Sequence, residues 1–170
     1  MKIETTREDH LIAWFAALAI TIHITESALP SLIPGVKPGL ANVITIIVLM
    51  KYGWRIAAWV NLLRVLAASL LIGTFLSPTF ILSLSGALAS ITILGLLSLL
   101  PKKTFTAYGY SIAAAMAHTM SQFLVAYYLF IQHEGLFYLL PILMTTAFLF
   151  GILNAMIVTA IMNKLTLYTD

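Results

Sequence analysis

Four ionisable side chains, His23, Glu26, Arg64 and His118, stand inside apolar stretches that look long enough to cross a bilayer. Such a group near the middle of a membrane helix costs about 2.5–3.5 kcal/mol on insertion scales, so each needs a partner or a purpose. Spacing groups them. His23 and Glu26 are three residues apart and share a helix face; Asn61 and Arg64 repeat that spacing, and His118 and Gln122 are four apart. Asn42 and Asn154 are further polar residues on apolar helices. Lys37 is framed by Pro34, Gly35, Pro38 and Gly39. Lys37 and Arg64 could together hold an anionic ligand group, Arg64 through its planar fork. Lys37, Asn42, Asn61, Arg64, His118, Gln122, His23 and Glu26 are therefore the candidate substrate-binding residues. No residue is singled out as catalytic or metal-binding, and no cofactor is expected.

The same residues support a plainer reading. Arg64 and Glu26 could pair with each other and hold helices together. His118 and Gln122 could make interhelical hydrogen bonds, typically worth about 0.6 kcal/mol in membranes. Tyr127, Tyr128, Phe137 and Tyr138 could stack on a ligand ring, or they could form an interfacial aromatic belt.

The elements that must position these residues follow from composition. Of 170 residues, 61% are hydrophobic and 9% charged, and mean hydropathy is +1.02. Soluble domains carry roughly 25% charged residues, so this chain has too little polar surface for water. Lipid needs no polar coat. Apolar runs predict six membrane spans over residues 11–29, 39–50, 56–76, 80–100, 107–131 and 136–162. The second is only twelve residues long. It can cross only if tilted, buried among neighbours or extended into its flanks. The expected fold is an all-α bundle of six transmembrane helices forming a single domain over residues 1–170. Residues 1–10 are mixed in charge and the run after them can span, so no cleavable signal peptide is expected.

Charge sets the orientation. Lys2, Arg7, Lys51, Arg55, Lys102, Lys103 and Lys164 fall in the tails and the second and fourth loops, while the other loops carry only Lys37. Seven against one predicts cytoplasmic N- and C-termini. Small residues four apart, at Ala13 and Ala17, Ser69 and Gly73, Gly86 and Ser90, and Gly151 and Ala155, let helices approach closely. The absence of cysteine excludes disulfides, thiolate metal sites and a cysteine nucleophile.

The stretch Pro34-Gly35-Val36-Lys37-Pro38-Gly39-Leu40-Ala41-Asn42-Val43-Ile44-Thr45 resembles a bacterial membrane family. That family is known both as the Gx transporter family and as heptaprenyl diphosphate synthase component I. Leu62-Leu63-Arg64-Val65-Leu66 with Ser69, Gly73 and Thr74, and Ala117-His118-Thr119-Met120-Ser121-Gln122, agree with it. Pro38 stands where the family often has an aliphatic residue, and Thr119 where asparagine is common. The family is similar to the substrate-binding S components of energy-coupling-factor transporters. This likeness implies that Ala13 and Ala17 dock a transmembrane coupling subunit.

The two family names imply different chemistry. A prenyl diphosphate synthase holds Mg²⁺ through clustered aspartates, but the only aspartates here are Asp9 and Asp170, both in the tails. No GxxxxGK[ST] loop for ATP is present either. Energy for uptake would then come from partner ATPases or from ion coupling, with His23, Glu26 and His118 able to relay protons. The expectation is a multi-pass transport protein of the bacterial cytoplasmic membrane. It would be the substrate-binding subunit for uptake of an anionic or aromatic cofactor-like molecule. Its partners would be the lipid bilayer, a small-molecule substrate and a coupling subunit with ATPases, with no nucleic acid. Two alternatives stand beside it: an accessory component of polyprenyl diphosphate synthesis, and a scaffold of a membrane redox or flavin-transfer complex.

Overall fold

The computed structural model describes residues 6–28, 39–101 and 104–167. Among them are six α-helices and no strand: α1 (Arg7–Ala28), α2 (Ala41–Tyr52), α3 (Trp54–Ile72), α4 (Pro78–Ser98), α5 (Ala107–Leu129) and α6 (Leu140–Leu167). A 3₁₀ helix, Glu134–Leu139, leads into α6. Helices α1, α3, α4 and α6 are long and apolar enough to cross a membrane. Helix α5 has 23 residues, but its serines, tyrosines, His118 and Gln122 lower its hydropathy. Trp14, Trp59, Leu70, Leu71, Leu96, Leu153 and Met156 are exposed on the outside. Lipid accommodates that surface and water does not. The chain is a multi-pass membrane protein.

Local signals set the helix ends. Thr6 and Asp9 cap α1 reciprocally: the Asp9 carboxylate accepts the Thr6 N–H and hydroxyl, each at 2.8 Å, and the Thr6 hydroxyl accepts the Asp9 N–H. Gly73, left-handed at φ 79°, stops α3 at Ile72, four residues short of the hydropathy limit. The Ser77 hydroxyl accepts the Phe80 N–H, and Pro78 occupies the first turn of α4.

The helices alternate in direction. Phe15 meets Tyr52 while Glu26 meets Gly39, which sets α1 antiparallel to α2. Trp54 with Ile91 and Asn61 with Ala87 do the same for α3 and α4. Ser90 with Ala114 and Ser121 with Ser85 pair α4 with α5. Ser111 with Gly151 and Tyr127 with Phe137 pair α5 with the chain leading through α6. Five helices pack in the spatial order α1–α3–α4–α5–α6, and α2 packs against α1, α3, α5 and α6. Its twelve residues rise only about 18 Å against a hydrocarbon core of about 30 Å. Of the conditions that let so short a helix belong to the bundle, burial is the one met: Val43 to Leu49 are all buried. Around them pack Ala19, Ile56, Ala57, Val60, Ile91, Leu94, Tyr110 and Val158, closing the end of the bundle nearest the termini.

Two close approaches hold this core. A Cβ on Gly151 would lie 2.9 Å from the Ile112 backbone of α5, so only glycine permits that helix contact. The Trp54 ring covers Gly95 in the same way, and its Nε1–H donates to the Ile91 carbonyl at 2.8 Å.

Candidate functional site

At the opposite end, a cavity of about 620 Å³ lies between the helices. Its walls are the last turns of α1, the start of α2, the second half of α3, the first half of α4, the second half of α5 and the first half of α6. All of these are the helix halves next to the α1–α2, α3–α4 and α5–α6 connections. The volume falls in the usual range for small-molecule sites, roughly 300–1,000 Å³.

Six of the residues expected from sequence line it: His23, Glu26, Asn42, Arg64, His118 and Gln122. Asn154 lines it as well. Asn61 does not. It is fully buried behind Arg64, its Nδ2 donating to the Ala87 carbonyl at 3.1 Å and its Oδ1 accepting from Arg64 Nη2 at 2.7 Å. Asn61 therefore fastens the guanidinium to α4. Lys37 lies outside the described residues, as do Lys2, Lys102 and Lys103.

The two charges do not pair. Glu26 is buried, and its Oε1 accepts the N–H groups of Gly39 and Leu40, the latter at 3.3 Å, immediately before α2. A carboxylate there meets the positive end of the helix dipole. Gly39 has φ 68°, a left-handed conformation that glycine adopts without strain. Its carbonyl accepts from Asn154 Nδ2 at 3.3 Å, so α1 and α6 both hold the start of α2. Arg64 is 3% exposed, and among the described residues Asn61 is its hydrogen-bond partner while Nε has none.

His118 sits on α4. A Cβ on Gly86 would be 2.7 Å from the imidazole, and Nδ1 lies 3.3 Å from the Ser90 hydroxyl, which donates to the Ala114 carbonyl. The Gly86–Ser90 pair thus makes room for a cavity side chain. Phe80, Phe123, Phe150, Leu139 and Leu143 give the cavity an apolar wall that sequence reasoning did not single out. Of the aromatic group, Tyr127 meets both Tyr128 and Phe137 through ring edges, and Phe123 joins Phe137 to the cavity. Among the described residues no cluster of three His, Asp or Glu side chains could hold a metal ion.

Bundle and cavity together define a polytopic membrane protein with a ligand-sized chamber between its helices. A family model described as heptaprenyl diphosphate synthase component I matches residues 15–161, and the chain belongs to that family. Neither a curated protein nor a solved structure matches it.

Proposed function

We propose that this chain is a non-catalytic membrane component of polyprenyl diphosphate synthesis that receives a small molecule in its cavity. The family to which it belongs supports the pathway. The observation that supports a binding rather than a catalytic role is the cavity's chemistry. Among the described residues its wall carries one arginine, two histidines, amides and a single carboxylate already engaged with backbone N–H groups. Magnesium-assisted diphosphate chemistry takes clustered carboxylates. In this reading a soluble, aspartate-rich synthase subunit is the partner and supplies them. Arg7, Lys51, Arg55 and Lys164 occur at helix ends on the side of the termini, which favours a cytoplasmic placement of that side. Co-expression with such a synthase tests the pairing: the synthase should fractionate with membranes only when this chain is present. A synthase that stays soluble, or binds membranes without this chain, contradicts it.

A second reading, substrate capture for uptake, is favoured by one specific feature. Ala13 and Ala17, with Trp14 and Leu18, lie on the exposed face of α1, leaving a small-residue strip open to another membrane subunit. If ATPase-bearing coupling subunits co-purify and Ala13→Leu releases them, uptake replaces the first reading.

A further inference from the structure

We infer that the cavity binds an amphiphilic oxyanion, a phosphate or diphosphate ester on an apolar body, with its head on Arg64, Asn42 and Gln122. The inference rests on the reading of the chain as a binding component and names the class of molecule bound. Charge comes first. The Glu26 carboxylate is matched by the two N–H groups ahead of α2, whereas the Arg64 guanidinium meets a neutral amide. No ion pair within 4.0 Å joins them among the described residues. Among the described residues, the Arg64 guanidinium therefore feels the Glu26 charge only through space, and no carboxylate oxygen contacts it.

Hydrogen-bonding capacity comes second. Arg64 Nε is buried without a partner, and the side-chain amides of Asn42 and Gln122, both on the cavity wall, make no hydrogen bond within the described protein. A buried donor left unmade costs about 1–3 kcal/mol, so a ligand that supplies acceptors recovers it. Oxyanions accept from a guanidinium in its planar fork and from amide N–H groups together. Asn61 holds Arg64 in place through Nη2, so little side-chain entropy is left to lose on binding.

Shape comes third. Beyond the polar residues the wall is Phe80, Phe123, Leu139, Leu143 and Phe150, which suits a hydrocarbon body and offers it no hydrogen bonds.

The test uses the full chain in nanodiscs of zwitterionic lipid, with farnesyl diphosphate, dodecyl phosphate and farnesol as probes. Both anions should bind, and farnesol should bind at least about 30-fold more weakly. Arg64→Gln should weaken both anions by a similar factor, and Gln122→Leu by roughly 5-fold. Should Arg64→Gln fail to fold, Gln122→Leu and the farnesol comparison decide. Dodecyl phosphate bound through Arg64 without farnesyl diphosphate would keep the anion site and remove the polyprenyl reading. Farnesyl diphosphate bound equally well by folded Arg64→Gln, or farnesol bound as tightly, would overturn the anion site and leave the pathway open. Binding of neither anion also overturns it. Repetition in discs containing phosphatidylglycerol separates the sources: competition that depends on Arg64 supports the site with a lipid headgroup as its occupant.

Discussion

At the end of the bundle that holds the termini, the Trp54 indole donates to the Ile91 carbonyl and the Ser111 hydroxyl to that of Gly151. Apolar side chains of α2 fill the remaining space. At the far end, among the described residues, Asn42 and Gln122 keep free amides and Arg64 keeps an unpartnered Nε, around a chamber of about 620 Å³. Both ends carry polar residues. The closed end bonds Trp54 and Ser111 to backbone carbonyls, whereas the chamber end engages Glu26, Asn61 and Asn154 and leaves Asn42, Gln122 and Arg64 Nε available among the described residues. Thr45 departs from the pattern; its hydroxyl is buried without a partner, and nothing in its surroundings explains it. Polar residues in a membrane helix are thus not uniformly signs of function. What separates the two kinds is whether a backbone carbonyl of the next helix is already in reach.

Substitutions can break this contrast. Gly151→Val would push a methyl group into the Ile112 backbone, which cannot move aside, and should destabilise by about 3 kcal/mol in reversible unfolding from bicelles. Leu94→Ala, in the closed core, should follow at roughly 1–3 kcal/mol, since in lipid the cavity term persists while the transfer term largely falls away. Its ligand affinity should stay unchanged. Loss of binding without loss of stability would show that the two ends are not separable. In the α3–α4 connection beside the chamber, Leu76 holds φ 62°, so Leu76→Gly should relieve strain and stabilise by about 1 kcal/mol.

The smallest expected effect is at the exposed start of α1. Hydrogen bonds from the Thr6 N–H and hydroxyl hold the Asp9 carboxyl below its ordinary value of 3.8. Because the folded value is the lower one, the contribution is complete above the unfolded value and is lost as pH falls through the folded value. Amide exchange at the first turn of α1 should therefore rise only in acid below about pH 4, and Asp9→Asn should remove that dependence.

Much of this architecture is legible in the sequence because hydropathy reports lipid contact directly. The six helices lie within a few residues of the apolar runs. The differences have local causes: Gly73 stops α3 early, and a 3₁₀ turn replaces the first residues of the sixth run. Spacing also placed Asn61 beside Arg64 on one face, but could not say that Asn61 faces α4 and not the chamber. Glu26 offered Arg64 as its obvious partner by charge, and it instead accepts two backbone N–H groups that no pattern of residue types encodes. The four small-residue pairs read alike in sequence and differ in the fold. Gly151 admits a helix, Gly86 admits an imidazole, Gly73 ends a helix, and Ala13 and Ala17 face outward. Each of these depends on which helix stands opposite, and that is fixed by the spatial order of α1, α3, α4, α5 and α6 around α2.

The separation of the two ends is tested most directly by thermal unfolding of Asn42→Leu/Gln122→Leu in nanodiscs, with and without farnesyl diphosphate. Since these amides bond to nothing in the described protein, the double variant should unfold at the wild-type temperature or slightly above it. Farnesyl diphosphate should stabilise the wild type clearly more than the variant, which keeps Arg64 but has lost both amides. A variant that unfolds well below the wild type yet is stabilised as much by the ligand would contradict the account, because the amides would then be holding the fold and not the ligand.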